Sequence, residues 1–378
     1  MNYHDVRECS EKWAAECDVK AFYDCVDHSI AIEYFNRAIE RAAQRGIIVD
    51  PRASSFFHAY LNGYTFYQDV KISKLTAFRL ENTKNECADC KWPVNELIDL
   101  HADYKSARIG VPQGGALSCL IVNLILDFAD RSVIGEQSDP DLFYARYCDD
   151  MIIIHKNSNL CSAALDRYLA SLRTLKLPVH SPQSFQKYGA EFWESKSKRP
   201  FCWTSDKAKR DGVPWISFVG YQLHYNMTIR MRISSVKEEM QKQNKLAMRI
   251  LFLLRNARAR NRPIKISAEG IFNRVQQKLI SMSVGRRTLR STEGNRNDLC
   301  WASGFDLLDQ YQYSYYQLKW LDRSRGRVLA RLNKRLRLMN ISAPTITRAA
   351  QSPGEYRALR YYGFPYSYAS QFRRPHRP

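Results

Sequence analysis

The stretch Phe143-Tyr144-Ala145-Arg146-Tyr147-Cys148-Asp149-Asp150-Met151-Ile152-Ile153-Ile154-His155 sets two β-prone runs on either side of an acidic pair. Aromatic and β-branched residues suit the pleated, half-buried surface of a sheet, so the pattern predicts a hairpin with Cys148-Asp149-Asp150 at its turn. Most Asp-Asp pairs are solvated turn residues. Here apolar strand residues flank the pair on both sides, and carboxylates held against apolar surface are costly enough to need a reason.

Upstream, residues 15–23, which contain Asp18 and Val19, read as a short strand ending near Asp24. Asp27 or Ser29 then caps a helix through Ile32, Phe35, Ala38 and Ile39, and Gly46 stops it. A second helix is expected over 51–61, followed by an irregular, insertion-like stretch over 63–106. Gly110-Val-Pro-Gln113-Gly114-Gly opens a helix whose Leu117, Leu120, Ile121, Leu124 and Phe128 recur at helical spacing. Downstream, 160–175 is helical and 215–225 reads as a second hairpin centred on Gly220. Beyond Ser234 the character changes to long basic amphipathic helices, expected over 234–260, 267–284 and 303–339. The tail 341–378 is rich in Arg, Tyr and Pro with little aliphatic content, and is expected to be disordered or ordered by contact with something else.

Two adjacent aspartates at a hairpin turn, facing a third at the end of a neighbouring strand, offer hard oxygen ligands on a rigid base. Phosphoryl transfer with two divalent cations about 4 Å apart needs that set, one cation activating the attacking hydroxyl and the other neutralising the leaving pyrophosphate. Asp18, Asp149 and Asp150 are therefore the candidate catalytic carboxylates.

These residues carry a family resemblance. The run from Asp18 through Phe22, Tyr23 and Asp24 to Asp27-His28 resembles the first palm motif of bacterial reverse transcriptases, the group that includes group II intron, retron and abortive-infection or phage-defence enzymes. Gly110-Val-Pro-Gln113-Gly-Gly-Ala-Leu-Ser118 looks like their Pro-Gln-Gly motif, Tyr147-Cys-Asp149-Asp150 like their Tyr-X-Asp-Asp box, and Phe218-Val-Gly220-Tyr221 like their primer-grip hairpin. The four signals stand in the family's order and span residues 15–225.

The resemblance implies an α+β fold: a right-hand polymerase palm, built as an antiparallel sheet with helices, plus an α-helical thumb, with fingers reduced or absent. The corresponding domains are 1–233 for the palm, 234–340 for the thumb and 341–378 for a basic tail. It implies RNA-directed DNA polymerase activity, adding dNTPs to a primer 3′-hydroxyl. The metals, two Mg²⁺ or Mn²⁺ in their place, would be held by Asp18, Asp149, Asp150 and the backbone carbonyl of Val19. Tyr23 falls where the family places a steric gate against a ribose 2′-hydroxyl, while Gln113 would position the incoming nucleotide or the template base and Gly114 would let the backbone approach the substrate closely. Tyr147, Gly220 and Tyr221 would hold the primer, and Lys187 is the candidate for the lysine that protonates pyrophosphate. Arg146 is expected to neutralise the carboxylates.

Only seventeen residues precede Asp18, where the family carries a fingers subdomain with triphosphate-gripping basic residues, so the 63–106 stretch, the Arg-rich region after Ser195, a partner chain or a missing amino-terminal segment of the gene product would have to replace it. Neither a nuclease nor a zinc module follows the thumb motifs, which argues against the endonuclease function of mobile introns. Two other readings stay open. One is template-independent or protein-primed synthesis by the same site; the other is a non-catalytic RNA-binding scaffold with a polymerase fold, against which the retention of all three aspartates speaks.

The bulk properties agree with a polyanion partner. The 378 residues carry a formal net charge of +20 with 45% hydrophobic content, and the excess runs through 196–210, 249–262 and 323–337 rather than one tail. Arg255, Arg258, Arg331 and Arg335 are the candidate contacts to an RNA template, a DNA product or a non-coding RNA. The ten cysteines are scattered as in a reduced, cytoplasmic protein. Cys87-Ala-Asp-Cys90 alone has metal-like spacing, and with only His58 and His101 nearby it reads as two ordinary thiols. No run approaches the roughly 20 apolar residues of a membrane span, and the amino terminus lacks the pattern of a signal peptide.

Overall fold

The computed structural model describes residues 11–72, 92–135, 139–187, 189–205, 211–264, 266–284, 301–308, 312–339 and 367–369. The chain divides between Val219 and Gly220 into two compact units.

The first unit is built on a four-stranded antiparallel sheet of order β2-β3-β1-β4. Its strands are β1 (Lys12–Cys17), β2 (Phe143–Tyr147), β3 (Asp150–His155) and β4 (Lys198–Trp203). Every residue of β3 after Asp150 is buried, as a continuous apolar run predicts for a strand covered on both faces. The expected strand over 15–23 is corrected to Lys12–Cys17. Ala21, at φ 45, turns the chain into a 3-10 turn over Phe22–Cys25. Strand β4 escaped the sequence reading because Pro200 and its basic neighbours disguise it. Proline is tolerated there because β4 is an edge strand, and its pairing with β1 shifts register between Ala14 and Glu16.

Helices α1 (His28–Gln44), α2 (Pro51–Asn62), α3 (Val94–Leu100), α4 (Ser118–Ile134), α5 (Ser158–Thr174) and α6 (Ala190–Glu194) complete the unit, with strand β5 (Trp215–Phe218) at its end. Asp27 caps α1 by accepting from the Ser29 and Ile30 amides at 2.8 and 3.2 Å, and Asn157 caps α5 in the same way. Ile121, Ile125 and Leu126 of α4 and Leu165, Tyr168 and Leu172 of α5 form one core with Ala15, Cys17, Met151 and Ile153 of the sheet. Within the 63–106 stretch, Tyr67–Ile72 form a π-helical turn. Trp92 is buried among the rings of Phe66, Tyr67 and Tyr104 and donates from Nε1 to Asp24 O at 3.0 Å. Cys87 and Cys90 lie outside the described residues. His101 is buried with Nδ1 3.6 Å from Asp27 Oδ2.

The second unit begins with β6 (Tyr221–His224) and β7 (Ile229–Met231), an antiparallel pair. Three helices follow: α7 (Ile233–Ala259), α8 (Ala268–Val284) and α9 (Gln312–Leu338). Their core holds Ala247, Leu251, Val275, Leu279, Leu329 and Leu332. The single helix expected over 303–339 is corrected. Residues Ala302–Leu308 form a separate 3-10 turn, in which Phe305 departs from helical geometry. In the tail, Ser367–Ala369 dock onto this helical unit. Tyr368 is fully buried, donates its phenol to Glu239 Oε1 at 2.8 Å, and gives its amide to Asp322 Oδ1 at 2.8 Å. Among the described residues, no helix is long and apolar enough to cross a membrane.

Candidate active site

The β1–β3 ladder ends with Cys17 paired to Met151, so Asp18, the next residue, lies at the mouth of the β2–β3 hairpin, where its side chain bonds to that of Asp149. On the other side of β3, Tyr147 pairs with Asp150, which leaves Cys148 and Asp149 as the two turn residues. Cys148 adopts φ 54, a left-handed conformation that is strained for a side chain larger than glycine.

Asp18 is buried and Asp150 exposed. Burial, the negative charges of Asp18 and Asp150 and a hydrogen bond to the Asp18 side chain push the Asp149 carboxyl up to about 6. Asp18 is held from several directions. Its amide donates to Ser197 Oγ at 3.0 Å, its carbonyl accepts from the His180 amide at 3.1 Å, and its Oδ2 lies 2.7 Å from Lys196 Nζ and 3.9 Å from His180 Nε2. Val19 bridges to Val179 through bonds that use the Asp18 and Pro178 carbonyls, leaving the Val19 carbonyl outside the bridge.

The donor set suits a hard divalent cation: two carboxylates in hydrogen-bond contact, one with raised proton affinity, and a third on the adjoining residue. Among the described residues, however, no three His, Cys, Asp or Glu side chains converge as a metal cage. The Lys196 ammonium instead serves as counter-ion to Asp18.

Tyr23 is half-buried beside Phe22, and its hydroxyl lies 3.7 Å from Cys119 Sγ. Burial and bonding to Cys119 and Cys148 hold its phenol well above the ordinary range. Its carbonyl accepts from the Val111 amide at 2.7 Å, and Gly110 N donates to Val26 O at 2.8 Å, so the Pro-Gln-Gly segment is stitched to the first motif. Gly110 sits at φ +101, and a Cβ there would meet Phe66 Cβ at 2.7 Å. Gln113 and Gly114 are exposed, and a Cβ on Gly114 would have nothing within 4 Å. Tyr147 is 62% exposed at the hairpin.

Two residues carry more than their sequence reading. Arg146 grips Asp130 with Nε and Nη2, both at 2.7 Å, and donates from Nη1 to Cys148 O at 2.8 Å. It braces the strained turn through that carbonyl, and the carboxylate it pairs with is Asp130. The lysine beside Asp18 is Lys196, whereas Lys187 is exposed and its carbonyl accepts from Trp193 Nε1. Spacing could not reveal Lys196, because helix α6 intervenes between the two lysines.

In the second unit, Gly220 has φ +82 directly after Val219 at φ 47, the left-handed pair that a tight two-residue turn requires. Tyr221 donates its hydroxyl to Gly304 O at 2.9 Å. Arg255, Arg331 and Arg335 line a basic cavity of about 540 Å3 with Lys334, while Arg258 donates to Met339 O at 3.2 Å.

Residues 65–194 match the family model described as reverse transcriptase (RNA-dependent DNA polymerase). That span includes Gln113, Asp149 and Asp150 but not Asp18. No curated protein matches the chain by sequence. Among solved structures, telomerase from Candida albicans in complex with a TWJ fragment of telomeric RNA is similar at 11% identity and a TM-score of 0.32, covering 85% of this chain and 44% of that one. The chain thus spans less than half the length of that telomerase chain, and the likeness is too low to bear on the fold.

Proposed function

We propose that this chain is a reverse transcriptase that joins dNTPs to a primer 3′-hydroxyl at Asp18, Asp149 and Asp150. The observation that supports it most is the β1–β3 register, which brings an aspartate from the chain's start to the Asp-Asp turn. The family match over 65–194 supports it independently.

Asp18, Asp149, Asp150 and the Val19 carbonyl would hold two Mg²⁺ ions, or Mn²⁺ in their place. When bound, the ions acidify the primer hydroxyl and neutralise the departing pyrophosphate. In the transfer, the 3′-hydroxyl would release its proton to solvent as its oxygen bonds to the α-phosphorus and the bond to the β-phosphate oxygen breaks. Lys196, 2.7 Å from Asp18 Oδ2, is the ammonium that would protonate the departing pyrophosphate. Tyr23 closes the space a 2′-hydroxyl would need, and Gln113 and Gly114 offer an exposed edge to the incoming nucleotide. Arg146 keeps the Asp149 turn in its strained shape. Tyr147, Gly220 and Tyr221 would hold the primer, with Arg255, Arg258, Arg331 and Arg335 on the phosphates of an RNA template and DNA product. By the resemblance of its motifs the enzyme would be of the compact bacterial type, acting in the cytoplasm and in phage defence.

Primer extension with an RNA template, a DNA template and no template, each with single dNTPs and Mg²⁺, tests this reading. RNA-directed incorporation is expected. Incorporation without a template would reassign the chain to template-independent synthesis, and none under any condition would leave the scaffold reading.

A further inference from the structure

Helix α9 has two distinct faces. Leu318, Leu321, Val328, Leu329, Leu332 and Leu336 are buried, while Tyr316, Trp320, Arg323, Arg327, Arg331 and Lys334 are all exposed. The exposed set recurs at intervals of three or four residues, so it forms one stripe about 27 Å long at 1.5 Å per residue. Its first part is aromatic and its second part basic. Among the described residues none of the four cations is ion-paired and no ring stacks on Trp320, which is 46% exposed.

Between α9 and α7 lies a cavity of about 590 Å3 lined by Met240, Trp320, Arg323, Gly326 and Arg327. Further along the same stripe lies the basic cavity of Arg255, Arg331, Lys334 and Arg335. Gly326 stands in mid-helix, where glycine weakens a helix relative to alanine. Nothing in the fold requires it: its φ is ordinary, and a Cβ there would have nothing within 4 Å. The residue keeps open a space that any side chain would begin to fill.

We propose that this stripe is a binding track for single-stranded nucleic acid, with an unpaired base stacked on Trp320 over Gly326 and its phosphates on Arg323, Arg327 and the basic cavity beyond. A flat exposed indole beside guanidinium groups suits a π-face with adjoining phosphates, which is how unpaired strands are held. A duplex keeps its bases stacked inside and offers Trp320 nothing. The basic end of the track shares Arg255, Arg331 and Arg335 with the surface proposed for template and product, whereas Trp320, Arg323 and Gly326 belong to the track alone; binding there requires neither metal nor dNTP.

The test is fluorescence anisotropy in EDTA, with labelled dodecamers of oligo(A) RNA and oligo(dA) and a duplex of equal length. Trp320→Ala should weaken both single strands about five- to one-hundred-fold and leave the duplex unchanged, and Trp320→Phe should recover most of the loss. Arg323→Gln with Arg327→Gln should reduce the log–log salt slope on single strands by about 1.4, at about 0.7 per phosphate. Gly326→Gln should weaken single-strand binding while holding or raising the thermal midpoint. A preference for RNA over DNA in wild type would assign the track to RNA. The proposal is overturned if Trp320→Ala and Gly326→Gln bind single strands like wild type, or if they weaken single strand and duplex equally. Because no polymerisation is measured, its failure is separable from failure of the catalytic reading.

Discussion

Lys196 Nζ lies 2.7 Å from Asp18 Oδ2, although 178 positions separate the two residues in sequence. The contact follows from the pairing of β4 with β1, which carries the loop ahead of Lys198 to the end of β1. An exposed ammonium on a buried carboxylate can both balance its charge and deliver a proton to a leaving group.

Lys196→Gln should therefore slow single-turnover nucleotide incorporation by about a hundredfold, the low end for a positioned general acid. Lys187→Gln should leave the rate near wild type. Rapid-quench incorporation measures both, and a slow Lys187 variant beside a normal Lys196 variant would restore the assignment made from sequence.

Asp149→Asn combined with Asp150→Asn should abolish Mg²⁺-dependent incorporation while leaving the circular dichroism spectrum unchanged, since Asp150 is exposed and, in the proposed mechanism, the charges would serve as ligands rather than packing. A double variant that extends primers at the wild-type rate would move the site elsewhere.

Arg146→Lys keeps the charge but cannot hold Asp130 at two points and the Cys148 carbonyl at once. The expected effect is a fall in kcat of about ten- to a hundredfold, as for a slight misplacement of reacting groups, with KM little changed. Arg146 is a positioning residue, and a change in KM alone would argue against that role.

Tyr23→Ala should raise the use of ribonucleotides relative to deoxynucleotides, read as the ratio of kcat/KM values for matched bases. Unchanged discrimination in a folded, active variant would return Tyr23 to a packing role beside Phe22.

Asp27 supplies a pH prediction. Burial pushes its carboxyl up, but bonds from Ser29 and Ile30 and the Lys176 charge outweigh this and hold it below the ordinary range. A depressed native pKa contributes stability above the unfolded value, about 3.9, and loses it as pH falls through the lower native value. Asp27→Ala should cost about 0.5–2 kcal/mol at pH 7 through the lost cap. In urea titrations the gap to wild type should narrow below about pH 4; a gap independent of pH would mean that the carboxylate charge is not what caps α1.

The sequence by itself determined the β2–β3 hairpin, a capped start for α1 at Asp27 or Ser29, and the helical character of α4 and of the chain beyond Ser234, because each rests on local periodicity or turn chemistry; the buried face of α4 is instead Ile121, Val122, Ile125, Leu126 and Ala129, with Leu120 exposed. The turn itself is Cys148-Asp149, one residue shorter than expected, because Asp150 pairs with Tyr147 at the start of β3. What only the tertiary structure decided was where strand β1 ends, the existence of β4, the docking of Tyr368 and the partners of Arg146 and Lys196. These depend on contacts between segments far apart in the chain, such as Lys196 with Asp18, or on a strand whose pairing tolerates proline only because it lies at a sheet edge. No window of neighbouring residues holds that information; it comes into being when the backbone ladders of β1, β3 and β4 close.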